Sequence, residues 1–287
     1  MRGVKMLKKI RKSKKTEKVI EGMLFIVAAI IALMFLFPMV YTVISSLKPL
    51  EDITSVPMRW IPREIRLRNF IEPFIEKNFG IYFFNSALVT TTVTFLSLFF
   101  CSLAGYSLTK FDYKGKNFFF ILVLMTMMVP IEITIVPLAI IVRKLGWMNS
   151  YPGLIVPVAI TPFGIFWMRQ FMITIPKDYA EAGRIDGLSE FGIFMKLILP
   201  LCKPALGALA IFTFMGNWNS LIWPLIVASK DQYRTITVGL VAFEGEFFTP
   251  YNHLFAMSVV AVLPTLVIFL ILRTKLIKGL AMVGIKG

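Results

Sequence analysis

The sequence predicts an all-α membrane protein, a bundle of six transmembrane helices with both chain termini on the cytoplasmic side. Of its 287 residues, 57% are hydrophobic and only 16% are charged, which is typical of a polytopic membrane protein rather than a soluble domain. Six nearly uncharged runs each exceed the roughly 20 residues that cross about 30 Å of hydrocarbon as a helix. The sequence lacks the alternating segments of a membrane β-barrel, so a helical bundle is predicted.

The distribution of basic residues predicts the orientation. Lys and Arg number 9 before the first run, 3 in 109–117, 5 in 169–203 and 4 after residue 272, against 6, 2 and 2 in the intervening segments. An excess of Lys and Arg marks the cytoplasmic side of a membrane protein. The net charge of +15 therefore reflects topology, and no nucleic-acid partner is predicted.

The apolar runs divide the chain into predicted segments. They are a basic cytoplasmic N-terminus at 1–21, a first transmembrane helix at 22–46, an extracytoplasmic loop at 47–83, a core at 84–272 with helices at about 84–109, 118–142, 151–168, 204–228 and 251–272, and a cytoplasmic tail at 273–287. The Lys-rich start, with apolar residues interspersed over 1–18, predicts an amphipathic helix on the lipid of the inner leaflet. Cys101 and Cys202 are expected to be free thiols.

One polar segment, residues 178–200, interrupts the apolar runs within a cytoplasmic loop at 173–203. Its four carboxylates and two basic residues could not lie in a lipid core. Apolar residues nevertheless recur near helical spacing, and Gly187 breaks the helical pattern. The segment is therefore predicted to form a helix, a glycine turn and a second helix at the membrane surface, with one apolar face available for contact.

Polar side chains inside the third and fifth runs are candidate functional residues. One interpretation is that Glu132 lines a hydrophilic cavity or pairs with a partner subunit. The other is that it reaches the outer interface or anchors a broken helix. Asn217, Trp218 and Asn219 lie at the centre of the fifth run, where amides must find hydrogen-bond partners. Those partners are neighbouring helices or a polar, sugar-sized pathway, because amides pair with hydroxyls and aromatic faces pack on sugar rings.

The second run carries small residues four apart: Ser97, Cys101, Gly105 and Thr109. Such a stripe lets helices approach closely, and pore lining is the alternative.

Chemistry that would mark an enzyme is missing from the sequence. No Gly-x4-Gly-Lys-Ser/Thr loop is present to hold ATP, and there is no His-Glu-x-x-His or Cys-x-x-Cys motif. A single histidine leaves most general-base schemes without a candidate. We therefore predict no catalytic residue, no cofactor and no metal, and we expect any ATP hydrolysis to occur in another chain.

The polar segment carries a family resemblance. Glu181-Ala182-Gly183, Gly187, Leu197 and Leu199-Pro200 resemble the EAA motif of ABC-importer permeases, which reads Glu-Ala-Ala, x3, Gly, x9, Ile, x, Leu-Pro. Gly183 and Leu197 are two conservative departures from that pattern. The resemblance implies that this segment docks on a separate cytoplasmic ATPase, through Glu181, Ala182, Gly183, Asp186, Gly187, Leu199 and Pro200.

Further patterns narrow the resemblance to the carbohydrate branch of these permeases, the maltose-permease G-type subunits. They are Asn85-Ser86, Ile185-Asp186-Gly187, Asn217-Trp218-Asn219, Trp223-Pro224-Leu225, residues 234–240 and residues 279–287. Over roughly 47–287 the resemblance implies a type I importer permease. The implied partners are a second permease in a heterodimer, two cytoplasmic ATPases, an external solute-binding protein and a sugar. Asn217, Trp218, Asn219 and Glu132 are the expected pathway residues.

Three alternatives remain open from the sequence. One is a permease for a non-sugar solute such as glycerol phosphate. Another is a secondary transporter driven by an ion gradient, with Glu132 as the proton site. The third is a membrane scaffold without transport.

Overall fold

The structure, a computed structural model, describes residues 2–243 and 249–284, with side chains between residues 20 and 273 of those ranges. No strand occurs among these residues, and the predicted all-α class is confirmed. The principal helices are α1 Arg2–Ser46, α2 Phe79–Lys110, α3 Lys116–Met127, α4 Ile131–Lys144, α5 Tyr151–Val158, α6 Pro162–Met172, α7 Asp178–Ile185, α8 Glu190–Leu201, α9 Lys203–Trp218, α10 Ile222–Val227, α11 Ile236–Val241 and α12 Tyr251–Gly284. Single turns occur at Leu50–Ile53, Leu67–Phe70, Glu72–Glu76 and Asp231–Tyr233.

The helices allow six membrane crossings. Ile20–Ser46, Phe79–Lys110 and Tyr251–Arg273 are each long and apolar enough to span a bilayer. Three helix pairs meet the same criterion when each pair is one broken span: α3 with α4, α5 with α6, and α8 with α9. The side chains of the predicted amphipathic start at 1–18 and the end of the predicted tail, residues 285–287, lie outside the described part of the chain.

The predicted helix at 118–142 is divided in two. Helix α3 ends at Met127 and α4 begins at Ile131, with a bend of 102° between them. Pro130 explains the break, because proline lacks an N–H donor and disfavours a helical conformation in the residue before it. Glu132 consequently lies in the first turn of α4.

Proline also stands at the other two breaks. Helix α6 begins at Pro162 after a bend of 43°, and the Thr161 hydroxyl caps it by accepting a 3.1 Å bond from the Gly164 N–H. Helices α8 and α9 meet at 82°, with Pro204 in the first turn of α9. The predicted fifth helix at 204–228 is divided, since α9 ends at Trp218 and α10 begins at Ile222.

The described residues form two compact units, one of 2–70 and 250–259 and the other of 71–243, 249 and 260–284. In the first unit Asn69 is fully buried and bridges backbone groups. Its Nδ2 donates to the Ser46 and Lys48 carbonyls, each at 2.9 Å, and its Oδ1 accepts from Asn252 at 2.9 Å. One amide thus joins the end of α1, the following loop and the start of α12.

The second unit has a core in which α2, α6, α8 and α9 pack around shared apolar side chains. A methyl group added at Gly105 of α2 would lie 3.0 Å from the Arg169 backbone nitrogen and 3.1 Å from the Met168 carbonyl carbon of α6. Ser97, Cys101 and Thr109 of the same stripe are also buried. These contacts favour helix packing over pore lining for the stripe.

Candidate functional site: the 178–200 segment and the polar positions of the spans

Helix α7 is the first half of the polar segment, and its ends follow from its sequence. The Lys177 carbonyl accepts from the N–H groups of Ala180 at 2.8 Å and Glu181 at 3.1 Å. Asp178 and Glu181 lie in the first turn and Arg184 in the last, an arrangement that complements the helix dipole. These features favour the helix, and packing of its buried face supports a helix of only eight residues.

Gly187 ends α7 in a Schellman motif. Its φ is +77°, in the left-handed region that glycine adopts without strain. The Gly187 N–H donates to the Arg184 carbonyl at 3.1 Å, and the Leu188 N–H donates to the Gly183 carbonyl at 2.9 Å. The predicted glycine turn is thus a fixed reversal, and Ser189 begins α8 by accepting a 3.1 Å bond from the Gly192 N–H.

The two faces of α7 differ in exposure. Ala180 and Gly183 are buried against the core. Glu181, Ala182 and Asp186 are exposed, and Ile185 is 87% exposed. The segment thus presents an acidic face with one apolar side chain at its tip, and this surface is hereafter the docking face.

Gly183 allows α7 and α8 to approach closely. A methyl group added there would lie 2.7 Å from Leu197 Cδ1 and 2.9 Å from Ile193 Cγ1. Gly183 and Leu197, the two departures from the EAA pattern, are therefore in direct contact. The smaller residue at 183 makes room for the Leu197 branch.

We expect Gly183→Ala to lower the melting temperature of the purified protein by a few degrees, because overpacking a tight contact costs about 1–3 kcal/mol. Adding Leu197→Ile should recover part of the loss, because isoleucine has one Cδ methyl where leucine has two. The close contact with Ile193 would remain, so the recovery should be incomplete. Gly22→Ala in α1, where a new methyl meets nothing within 4 Å, is the matched control. A Gly183→Ala protein as stable as wild type would contradict the contact.

The second half of the segment contains a π turn before Pro200. Residues Phe194–Ile198 form the π turn, and a short α-helix, Leu199–Leu201, follows. The proline ring clashes with the carbonyl four residues earlier, so a widened turn here is expected. Leu199 packs on the core and Pro200 is exposed.

A polar network ties α7 and α8 to the end of α2. Arg184 donates to both oxygens of Glu190, from Nε to Oε1 at 2.6 Å and from Nη2 to Oε2 at 3.3 Å. The Tyr106 hydroxyl of α2 donates to Glu190 Oε2 at 3.1 Å. Glu190 therefore joins three elements through one carboxylate.

Two further links connect the same regions. The Lys110 ammonium, buried at the end of α2, donates to the Ile175 carbonyl. Asp112 accepts from Lys177 at 2.7 Å and from Lys116 at 3.2 Å. The Lys177 ammonium, and after it Lys116, holds the pKa of the Asp112 carboxyl below its usual range.

The predicted pathway residues occupy different environments. The Asn217 amide donates to the Thr213 carbonyl at 2.8 Å and is half-buried, and Asn219 is exposed at the end of α9. Trp218 is 2% exposed, and its indole donates to the Ala261 carbonyl at 2.9 Å. Glu132 is exposed on α4. The two amides are thus at least partly accessible in this chain, whereas the Trp218 indole is buried against α12.

Sequence reasoning missed a polar clamp at the other end of α2. Asn85, fully buried, donates to the Gln232 and Arg234 carbonyls, each at 2.9 Å, and accepts from the Tyr151 hydroxyl at 2.8 Å. The Ser86 hydroxyl accepts from the Ile236 N–H at 2.7 Å. An Asn-Ser pair in an apolar run was the available signal, but it does not identify backbone carbonyls as the partners.

Comparison with known proteins places this geometry in context. Residues 99–276 match the family model described as "Binding-protein-dependent transport system inner membrane component". The chain is 35% identical over 277 residues to the arabinooligosaccharides transport system permease protein AraQ of Halalkalibacterium halodurans, covering 96% of this chain and 99% of that one. It is 37% identical to AraQ of Bacillus subtilis, with 90% and 92% covered.

More distant matches agree with these. The sulfoquinovosyl glycerol transport system permease protein SmoH of Agrobacterium fabrum is 30% identical, with 92% of this chain and 93% of that one covered. Among solved structures, a chain of a bacterial ABC transporter involved in the import of the acidic polysaccharide alginate superposes with a TM-score of 0.80 at 21% identity. That match covers 90% of this chain and 97% of the other, and it shows that the two share a fold.

Proposed function

This chain belongs to the family of binding-protein-dependent transport system inner membrane components, and we propose that it is a permease subunit of an ATP-driven importer for oligosaccharides. It is a multi-pass membrane protein with the fold of an ABC-importer permease. The proposal concerns the energy source for transport, the transported solute and the partner chains.

The docking face supports the proposal that ATP hydrolysis in another chain drives transport. Glu181, Ala182, Ile185 and Asp186 are exposed together on a short helix held by the Gly187 turn. Exposed carboxylates beside a prominent apolar side chain suit a basic cleft with an apolar floor on another protein. Because the sequence has no phosphate-binding loop of its own, we assign that cleft to a separate cytoplasmic ATPase, with two copies serving two permeases.

The substrate class rests on the relatives and on the amides of α9. Two relatives are named for arabino-oligosaccharides and another for sulfoquinovosyl glycerol. Asn217 and Asn219 offer donors and acceptors that match sugar hydroxyls. We propose both as pathway residues together with Glu132, and we assign Trp218 the packing role that fixes the end of α9.

A second permease and an external solute-binding protein complete the proposed assembly. Helix α3 buries none of its residues within this chain, and α4 buries only Val142. These two helices present an apolar surface suited to another membrane subunit and to lipid. We propose that the second permease is a distinct chain, so that the pair is a heterodimer.

The proposal is tested by reconstituting the two permeases and the two ATPase subunits in liposomes and adding the cognate binding protein. A neutral oligosaccharide that binds is recognised because it raises the melting temperature of the binding protein. We expect that oligosaccharide to stimulate ATP hydrolysis and to be taken up. Relatives named for sn-glycerol-3-phosphate supply the second candidate, which is assayed in parallel. Uptake driven by an ion gradient without the ATPase would overturn the proposal.

A further inference from the structure

The network around Glu190 extends from the exposed docking face to a buried site on α2. Arg184 and Glu190 have side chains 40% and 42% exposed, whereas Tyr106 is 2% exposed. The Tyr106 ring packs on Phe194 and on Phe111, with centroids 5.4 Å apart in both cases. The hydroxyl of a buried ring therefore reaches a carboxylate at the surface.

The C-terminal end of α2 is the part of the helix that contacts the polar segment. Tyr106 holds α8 through Glu190, Lys110 holds the chain ahead of α7 at the Ile175 carbonyl, and α6 packs on Gly105. Helices α3 and α4 make no comparable polar contact with the segment among the described residues. A displacement of α7 and α8 would therefore act on α2 through these contacts.

The opposite end of α2 is bound as firmly. Asn85 and Ser86 hold the backbone of residues 232–236 through three hydrogen bonds of 2.7–2.9 Å. Helix α2 is one continuous helix of 32 residues without an internal proline, the usual cause of a sharp kink. A shift at Tyr106 would consequently be transmitted along α2 to residues 232–236, which lie in a segment that the charge pattern predicts to be extracytoplasmic.

We propose that Tyr106 is a positioning residue that transmits movement of the docking face to α2, through Glu190 and Arg184, and so to residues 232–236. The inference rests on the proposed function, since it assumes that an ATPase moves the docking face. Tyr106 is buried and acts through its bond to Glu190. A static role, in which the bond only adds stability, predicts a different outcome.

The test uses the reconstituted transporter and compares Tyr106→Phe with wild type. The phenylalanine keeps the ring packing and removes only the hydroxyl. We expect uptake per ATP hydrolysed, and stimulation by the binding protein, to fall about tenfold or more, the change expected for loss of one hydrogen bond to a charged group. Basal ATPase activity and co-purification of the ATPase should be unchanged. Tyr113→Phe, an exposed tyrosine beyond the end of α2, is the matched control.

A second variant keeps the inference falsifiable if Tyr106→Phe assembles poorly. Arg184→Gln breaks the network from its exposed end, and it should lower the same ratio. In the double variant the losses should not add, because both changes break one network. A wild-type ratio in Tyr106→Phe or in Arg184→Gln, measured where wild type transports, overturns the inference alone. Failure of wild type itself to bind the ATPase overturns the proposed function.

Discussion

Glu181→Lys is expected to reduce binding-protein-stimulated ATP hydrolysis and uptake by about tenfold or more. Losing one member of an interfacial charge pair costs about 2–5 kcal/mol, and each 1.4 kcal/mol is a factor of about ten. The Glu181 carboxylate makes no hydrogen bond within the described part of the chain, so it is available to a basic side chain of the proposed ATPase. Co-purification of the ATPase and coupled turnover are the measurements.

The same change should leave the permease folded and in the membrane. Reversing a charge in the first turn of α7 costs about 0.3–1 kcal/mol through the helix dipole. Glu64→Lys, an exposed acidic residue of the 47–83 loop, is the control for a general effect of the added charge. ATPase association and turnover at the wild-type level in Glu181→Lys would count against the docking face.

Asn85→Ala is expected to give the largest loss of stability, about 3 kcal/mol or more. The change deletes three hydrogen bonds and leaves buried partners unsatisfied, each at a cost of about 1–3 kcal/mol. In a chain of this size that loss corresponds to a fall of about 5–10 °C in melting temperature. The measurement is thermal unfolding of the protein in detergent.

Gln232→Ala is the matched control, because Gln232 contributes only its backbone carbonyl to the clamp. We expect Gln232→Ala to melt within a degree or two of wild type. If Asn85→Ala also melted within a degree or two of wild type, the clamp would not hold residues 232–236. The proposed transmission along α2 would then have no contact at the outer end of the helix.

Local chemistry determined what the sequence could predict. Six apolar runs are visible because crossing lipid demands about 20 apolar residues. The turn at Gly187 is visible because only glycine takes a φ of +77° without strain. Pro130 marks a break, but a proline does not specify the 102° angle, which depends on the packing of both helices.

Tertiary contacts determined what the sequence could not predict. Tyr106 and Glu190 are 84 positions apart, and Asn85 lies 147 positions from Gln232, so no spacing rule connects them. The pair Trp218 and Asn217 shows the same limit. An aromatic beside an amide suits a sugar, yet only the fold reveals that the indole donates to Ala261.

The docking face must be reached from the cytoplasm, and cysteine labelling measures this most directly. Both native thiols are buried, so a single Asp186→Cys can be read with a membrane-impermeant maleimide. Val56→Cys, at a position 97% exposed in the 47–83 loop, is the control. We predict that Asp186→Cys reacts only in inverted vesicles and is protected by the bound ATPase, while Val56→Cys reacts in intact cells. Labelling of Asp186→Cys in intact cells would contradict the account.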